Sequence, residues 1–381
     1  MFIASAATAG FWILLNAAAA EPEGTVWTKY NNVTPTPTNT VSTDGRIPIG
    51  TSGKGDATYV AFPAVITDGA TYKMWYGGHD GTSWRIYYAT SPDGLTWTKY
   101  DNTIPNASDS VSTNGRIPLG TSGKGDSTQT TAPAVIKDGA TYKMWYGGLD
   151  GTNWRIYYAT SSNGLTWNKY DNTIPSASDS VSTNGRIPLG TAGKGDSAQT
   201  RDPAVIKDGS TYKMWYGGHD GTNWRSYYAT SPDGLTWTKY NNVVPTNSDT
   251  TSTDGRIPLG TAGKGDDYYI YGCAVIKDGN TYKGWYTGVD GAIYRIYYAT
   301  SPDGLTWTKY TNDIPANSNT NSTGGRVPLG TAGKGDETHV LTQGVIKVGY
   351  TYYMWYGGAS GNYRIYHARI WPPVGTIMTF H

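Results

Sequence analysis

Residues 133–170 run PAVIKDGATYKMWYGGLDGTNWRIYYATSSNGLTWNKY, four short apolar and aromatic runs separated by glycine-rich stops. The first, Pro133-Ala134-Val135-Ile136, ends at Lys137-Asp138-Gly139. The second, Thr141-Tyr142-Lys143-Met144-Trp145-Tyr146, ends at Gly147-Gly148. The third, from Trp154 to Thr160, ends at Ser161-Ser162-Asn163-Gly164, and Leu165-Thr166-Trp167-Asn168-Lys169-Tyr170 follows as the fourth. Runs rich in β-branched and aromatic residues between such stops are antiparallel strands joined by hairpins. Aromatic residues fall on both faces of the second and third runs, so both faces need covering. Blades stacked around an axis supply that cover.

The unit recurs. Trp27, Trp97, Trp167, Trp237 and Trp307 lie 70 residues apart, as do Trp75, Trp145, Trp215, Trp285 and Trp355. Residues 101–170 and 171–240 differ at only eleven of 70 positions. Periodicity of this kind decides the fold class before local propensity does. The expectation is an all-β, five-bladed β-propeller with four-stranded blades. Val26-Trp27-Thr28-Lys29-Tyr30 is a fourth strand without its first three, and nothing like it follows Arg364-Ile365-Tyr366-His367-Ala368. The N-terminal strand should therefore complete the last blade and close the ring, removing a sheet edge. The domain plan is an apolar N-terminal segment over 1–20, expected as a short helix, the propeller over 21–370 and a tail over 371–381. Long connections such as Asn102 to Thr131 carry recurrent Gly-Arg-Ile-Pro-Leu-Gly and Gly-Lys-Gly-Asp strings, which suggest ordered loops on one rim.

Lys and Arg total 30 against 29 Asp and Glu, so no basic field exists to hold nucleic acid. Glutamate occurs only at Glu21, Glu23 and Glu337. The single cysteine, Cys273, excludes an intramolecular disulfide and reads as a small packed side chain in the slot of Pro63, Pro133 and Pro203. Gly120-Thr121-Ser122-Gly123-Lys124-Gly125 lacks the spacing and the helix of a phosphate loop. His79 and His219 share one slot, with Leu149 and Val289 in others, which does not make a metal cluster. Calcium on the loop carboxylates of the Asp109 and Asp126 type is conceivable, but solvated carboxylates are the plainer reading.

Tyr72-Lys73-Met74-Trp75-Tyr76-Gly77 and Ser91-Pro92-Asp93-Gly94-Leu95-Thr96-Trp97 resemble the five-bladed propeller glycosidases, the superfamily of arabinanases, invertases and levansucrases. The resemblance covers the whole ring. The second string also resembles a shortened sialidase Asp-box, which in that family is structural and whose Asp would hold its own hairpin turn. Arg201-Asp202-Pro203 matches the Arg-Asp-Pro motif that carries a catalytic or transition-state-stabilising Asp in that superfamily. The resemblance therefore implies Asp202 as one carboxylate. The matching positions in the other blades, Phe62, Ala132, Gly272 and Thr342, are not acidic, and Glu337 lies outside any family motif.

One stretch escapes the copying. It reads Tyr59-Val60-Ala61-Phe62, Gln129-Thr130-Thr131-Ala132, Gln199-Thr200-Arg201-Asp202, Tyr269-Ile270-Tyr271-Gly272 and His339-Val340-Leu341-Thr342. It enters the innermost strand and rims the axial opening. Tyr59, Phe62, Gln129, Gln199, Arg201, Asp202, Tyr269, Tyr271 and His339 are thus the candidate ligand residues, with the aromatic ones stacking a sugar. The competing reading is that a narrow channel cannot hold five identical side chains and is simply repacked.

Residues 2–20 are apolar and uncharged. A signal peptide, a membrane anchor and a filament helix all fit, and the stretch resembles the hydrophobic N-terminal helix of type IV pilin-like subunits. Ser5 stands where many of those carry an acidic residue. Asn32, Asn106 and Asn321 lie in glycosylation sequons, and residues 34–38 are rich in Thr and Pro. Together these features lead to the expectation of a non-enzymatic extracellular propeller. It would be a structural or adhesive subunit, self-associating through residues 2–20, with glycan bound at the channel mouth. The alternative is a secreted glycoside hydrolase using Asp202.

Overall fold

The computed structural model describes residues 25–370, and every regular element among them is a β-strand. Five antiparallel sheets surround a common axis. In the blade built by residues 129–169 the strands run outward from the axis as Gln129–Asp138, Thr141–Leu149, Trp154–Ser161 and Trp167–Lys169. Ring closure is as expected: Trp27–Lys29 pairs with Asn362–Ile370, Thr28 opposite Arg369 and Lys29 opposite Ala368. The 70-residue tryptophan spacing is the spacing of blade seams. At each seam an inner Trp meets an outer Trp edge-on, with ring centres 5.5–5.7 Å apart: Trp75 on Trp167, Trp145 on Trp237, Trp215 on Trp307, Trp285 on Trp27 and Trp355 on Trp97. All ten are fully buried, and edge-to-face packing adds to their area burial.

Two features differ from the sequence expectation. Each blade has five strands instead of four, because two residues of the long connection, such as Val111–Ser112, add to the outer edge opposite Trp167 and Asn168. The same connection then bridges back to the preceding blade through Ile117 and Ile86. It stitches neighbouring blades together, and Ile47 with Ile365 does so across the closing seam.

The second difference concerns the Gly-Lys-Gly-Asp carboxylates, which are not solvated. Asp126 is fully buried: Oδ2 accepts from Lys169 Nζ at 2.8 Å and from Tyr146 at 3.0 Å, and Oδ1 accepts from Asn172 at 2.8 Å. Asp109 is likewise engaged, by the Thr121 amide and by Asn172. Partners of this kind leave no oxygen of Asp126 for calcium. Asn32 occupies the same place as Asn172, donating to Asp336 at 2.8 Å while only 4% exposed, so the asparagine of its sequon is not on the surface. Residues 1–24 and 371–381, and with them the apolar segment and the tail, lie outside the described residues.

Candidate functional site

The innermost strands place the variable stretch at the mouth of the axial channel. In every blade the pairing of this strand with its neighbour breaks at the same point, between Arg201 and Ala204 in one blade and between Tyr271 and Cys273 in the next. The bulged residues are Phe62, Ala132, Asp202, Gly272 and Thr342, which with the residues after them line a narrow channel of about 40 Å³. A bulge re-aims a side chain out of the sheet alternation. Here it aims four of them at the axis, Gly272 having none. Proline at 63, 133 and 203 fits because the bulge needs no N–H from that residue. Asp202 adopts a left-handed φ of 52°, and Phe62, Ala132 and Thr342 have φ of 56°, 48° and 47°. Left-handed backbone is costly for side-chain-bearing residues, least so for Asp, and such strain gathers at functional sites.

Asp202 is the only carboxylate on this lining and is 5% exposed. Its Oδ2 accepts a hydrogen bond from Arg201 Nε at 2.8 Å. Its Oδ1 is buried and has no partner among the described residues. Gly272 of the next blade leaves room beside it, since a Cβ there would stand 3.3 Å from the Asp202 Cβ.

Above the channel opens a hollow of about 220 Å³, walled by Phe62, Trp84, Arg201, Tyr271, Tyr294 and Tyr363 together with Ala61, Leu341 and Thr342. The Arg201 guanidinium lies 5.1 Å from the Trp224 ring, 5.3 Å from Tyr271, 5.6 Å from Trp154 and 5.9 Å from Phe62. Burial is the largest influence and works against its charge, but Asp202, Tyr271 and Tyr294 together outweigh it and its pKa is raised. Cation–π attraction from four rings stabilises it further. Around the rim the aromatic contacts are nearly continuous: Phe62 on Trp84 at 5.4 Å, Trp224 on Tyr271 at 5.5 Å, Tyr271 on Tyr294 at 5.7 Å, Tyr294 on His339 at 5.0 Å and Tyr363 on Tyr59 at 5.8 Å.

Of the candidate residues, Phe62, Arg201 and Tyr271 wall the hollow, and Asp202 lies beneath it. Tyr59 and His339 support the wall by packing on Trp84 or Tyr363. Burial first, and Arg295 second, lower the His339 pKa. Tyr269 touches Tyr271 but pairs chiefly with exposed Tyr268. Gln129 and Gln199 begin their strands opposite Leu149 and His219 and line neither cavity. Glu337 is bound in its own loop by Ser360 and the Gly333 amide. The sequence reading missed a crown of aromatics, Trp84, Trp154, Trp224, Tyr294 and Tyr363. One such residue opens the third strand of each blade, or follows directly on its first residue in the last.

No protein-family model matches the chain. Two uncharacterized proteins of Mycobacterium tuberculosis, from strains CDC 1551 and H37Rv, are each 38% identical to it over 119 residues, 29% of this chain. The alignment spans about a third of their length (34%). Among solved structures, a glycosyl hydrolase from Bacteroides ovatus matches with a TM-score of 0.58 at 15% identity, covering 91% of this chain and 94% of that one. A thermostable family-43 glycoside hydrolase matches with a TM-score of 0.53 at 15% identity, covering 84% and 93%. The fold is that of the five-bladed propeller glycosidases.

These likenesses correct the expectation of a non-enzymatic structural or adhesive subunit. Both of these solved propellers are glycoside hydrolases, not structural or adhesive subunits. The pilin-like resemblance of residues 2–20 lies outside the described residues and finds no support in them.

Proposed function

We propose that the protein is a glycoside hydrolase whose substrate enters the aromatic mouth, with Asp202 as the carboxylate at the reacting sugar. Sugar rings present apolar faces that stack on Trp84, Tyr294 and Tyr363, and the hollow narrows toward Asp202. The observation that carries the reading is the Asp202 carboxylate itself. It alone among five equivalent positions is acidic, it sits in strained backbone at the axis, and one oxygen is buried with no protein partner. A buried acceptor left open costs about 1–3 kcal/mol unless a ligand fills it. Arg201 holds the other oxygen and compensates its charge away from water. Asp202 can then act as a base toward water, or oppose the positive charge that develops on the sugar ring. The described lining contains no second carboxyl group, so the assignment is to Asp202 alone.

The test is release of reducing ends from a panel of plant and microbial oligosaccharides by the full chain. Asp202→Asn should lower the rate by about 100-fold or more while the saccharide still binds. Absence of release from the whole panel, or a variant as active as the parent, would overturn the reading.

A further inference from the structure

The wall of the hollow carries one charged side chain, and it is a cation. Arg201 spends Nε on Asp202, and no acceptor among the described residues stands opposite either terminal nitrogen. Its side chain is 19% exposed, and four aromatic rings surround the guanidinium. The planar fork is therefore largely stripped of water on its faces, while its outer edge still has donors to give. A second arginine follows one of the wall residues in the chain. Arg85, Arg155, Arg225 and Arg295 each bind an aspartate of their own hairpin, Asp80, Asp150, Asp220 and Asp290, at 2.5–2.7 Å. In the last blade Ser360 replaces that aspartate. Arg364, the neighbour of Tyr363, donates through Nη1 only to the Asn362 carbonyl, at 3.0 Å.

We propose that the mouth selects acidic glycans: the free edge of Arg201 takes the carboxylate of a uronic-acid residue, and Asp202 Oδ1 takes a hydroxyl of the sugar below it. The inference rests on the reading that a saccharide enters this mouth. A guanidinium edge matches a carboxylate with two parallel hydrogen bonds, and loses little on drying compared with an ammonium. One arginine already paired with Asp202 suits a singly charged carboxylate better than a phosphate dianion, which needs more positive charge than the wall offers. The aromatic remainder of the wall stacks the ring that carries the carboxylate.

The experiment is calorimetric titration of the full chain with oligogalacturonate and oligoglucuronate, each against the same oligosaccharide with its carboxyl groups methyl-esterified. The acidic forms should bind about tenfold tighter or more, with a preference that falls as salt is raised. Arg201→Met should bring the ratio of acid to ester affinity to about one, whatever the loss in each affinity from stranding Asp202. Arg201→Lys should restore part of the preference. Equal affinities, a preference that survives Arg201→Met, or inorganic phosphate binding more tightly than the uronates would overturn the inference. Failure of every saccharide to bind would overturn it along with the reading beneath it. A uronate preference without hydrolysis upholds it and removes only the enzymatic reading.

Discussion

Lys169 reaches across its blade to a carboxylate that no water touches. The Lys169 and Asp126 side chains are 1% and 0% exposed, and the pattern repeats at Lys29–Asp336, Lys99–Asp56, Lys239–Asp196 and Lys309–Asp266. Burial lowers the Lys169 pKa, opposed by Asp126. Lys169 Nζ also donates to the Ser108 and Pro118 carbonyls, at 2.7 and 2.8 Å, so one lysine fixes the long connection to the blade. A buried pair contributes little net stability against an apolar equivalent, but removing one partner strands a charge. Lys169→Met should therefore cost about 3–5 kcal/mol in urea unfolding, and Lys169→Met with Asp126→Leu should recover part of it. A single variant as stable as the parent would show that the pair is solvated in solution. The Gly-Lys-Gly-Asp strings were readable as ordered loops because they repeat. Their buried role was not, since the lysine partner lies 43 residues further along the chain.

At the scale of strands and hairpins, identical residue types take opposite parts. Asp93 Oδ1 accepts from the Leu95 and Thr96 amides at 2.8 and 2.7 Å, so the Ser-Pro-Asp-Gly hairpin is held by its own backbone, as its sequence implies. Trp75 and Trp84 are both strand residues nine apart, yet Trp75 fills a seam and Trp84 faces the hollow. Trp84→Ala should lower saccharide affinity about tenfold and cost clearly less stability than Trp75→Ala, because Trp84 is only partly buried on Tyr59, Phe62 and His79 and presents its remaining face to the ligand. Trp75→Ala should instead destabilise the ring by about 3–5 kcal/mol. Titration and urea unfolding of the two variants distinguish the roles, and equal stability losses would contradict this division. The crown was hidden in the sequence because fivefold repetition of an aromatic looks the same whether it packs a seam or lines a mouth. The axial lining, by contrast, was visible as the one stretch the copies do not share. The bulge that aims it inward, and the outermost two-residue strands, are too short to leave any periodicity.

For the ring as a whole, the seams are not equal, and the difference falls where the chain closes. At four seams an aspartate ending one inner strand binds a lysine and a tyrosine of the next blade: Asp68 with Lys137 and Tyr142, and likewise Asp138, Asp208 and Asp278. At the fifth, Val348 and Thr67 stand where aspartate and lysine would be, and Tyr72 packs on Tyr353 and Trp355. His367 lies behind them, fully buried, in the place held by Tyr88, Tyr158, Tyr228 and Tyr298 in the other blades. Its ring meets Tyr30, Tyr353 and Trp355, Nδ1 lies 3.0 Å from the Met354 carbonyl, and Nε2 has no partner among the described residues. Burial first, and Arg369 second, push its pKa down to about 3. The unfolded chain takes up this proton near pH 6.5, whereas the folded ring refuses it until about pH 3. Stability is therefore full above pH 6.5 and is lost as pH falls from there toward 3. The aspartates of the other seams act lower, their contribution being lost only as pH falls below 3.8. Hydrogen bonds from Lys137, Lys73 and Tyr142 hold Asp68 well below the usual carboxylate range. His367→Tyr, which restores the residue of the other four blades, should flatten the fall in thermal midpoint between pH 7 and pH 4.5. Superimposable pH profiles for parent and variant would mean that the closing seam does not set the acid limit. A steeper fall in the parent would locate acid opening of the ring at the joint between its first and last blades.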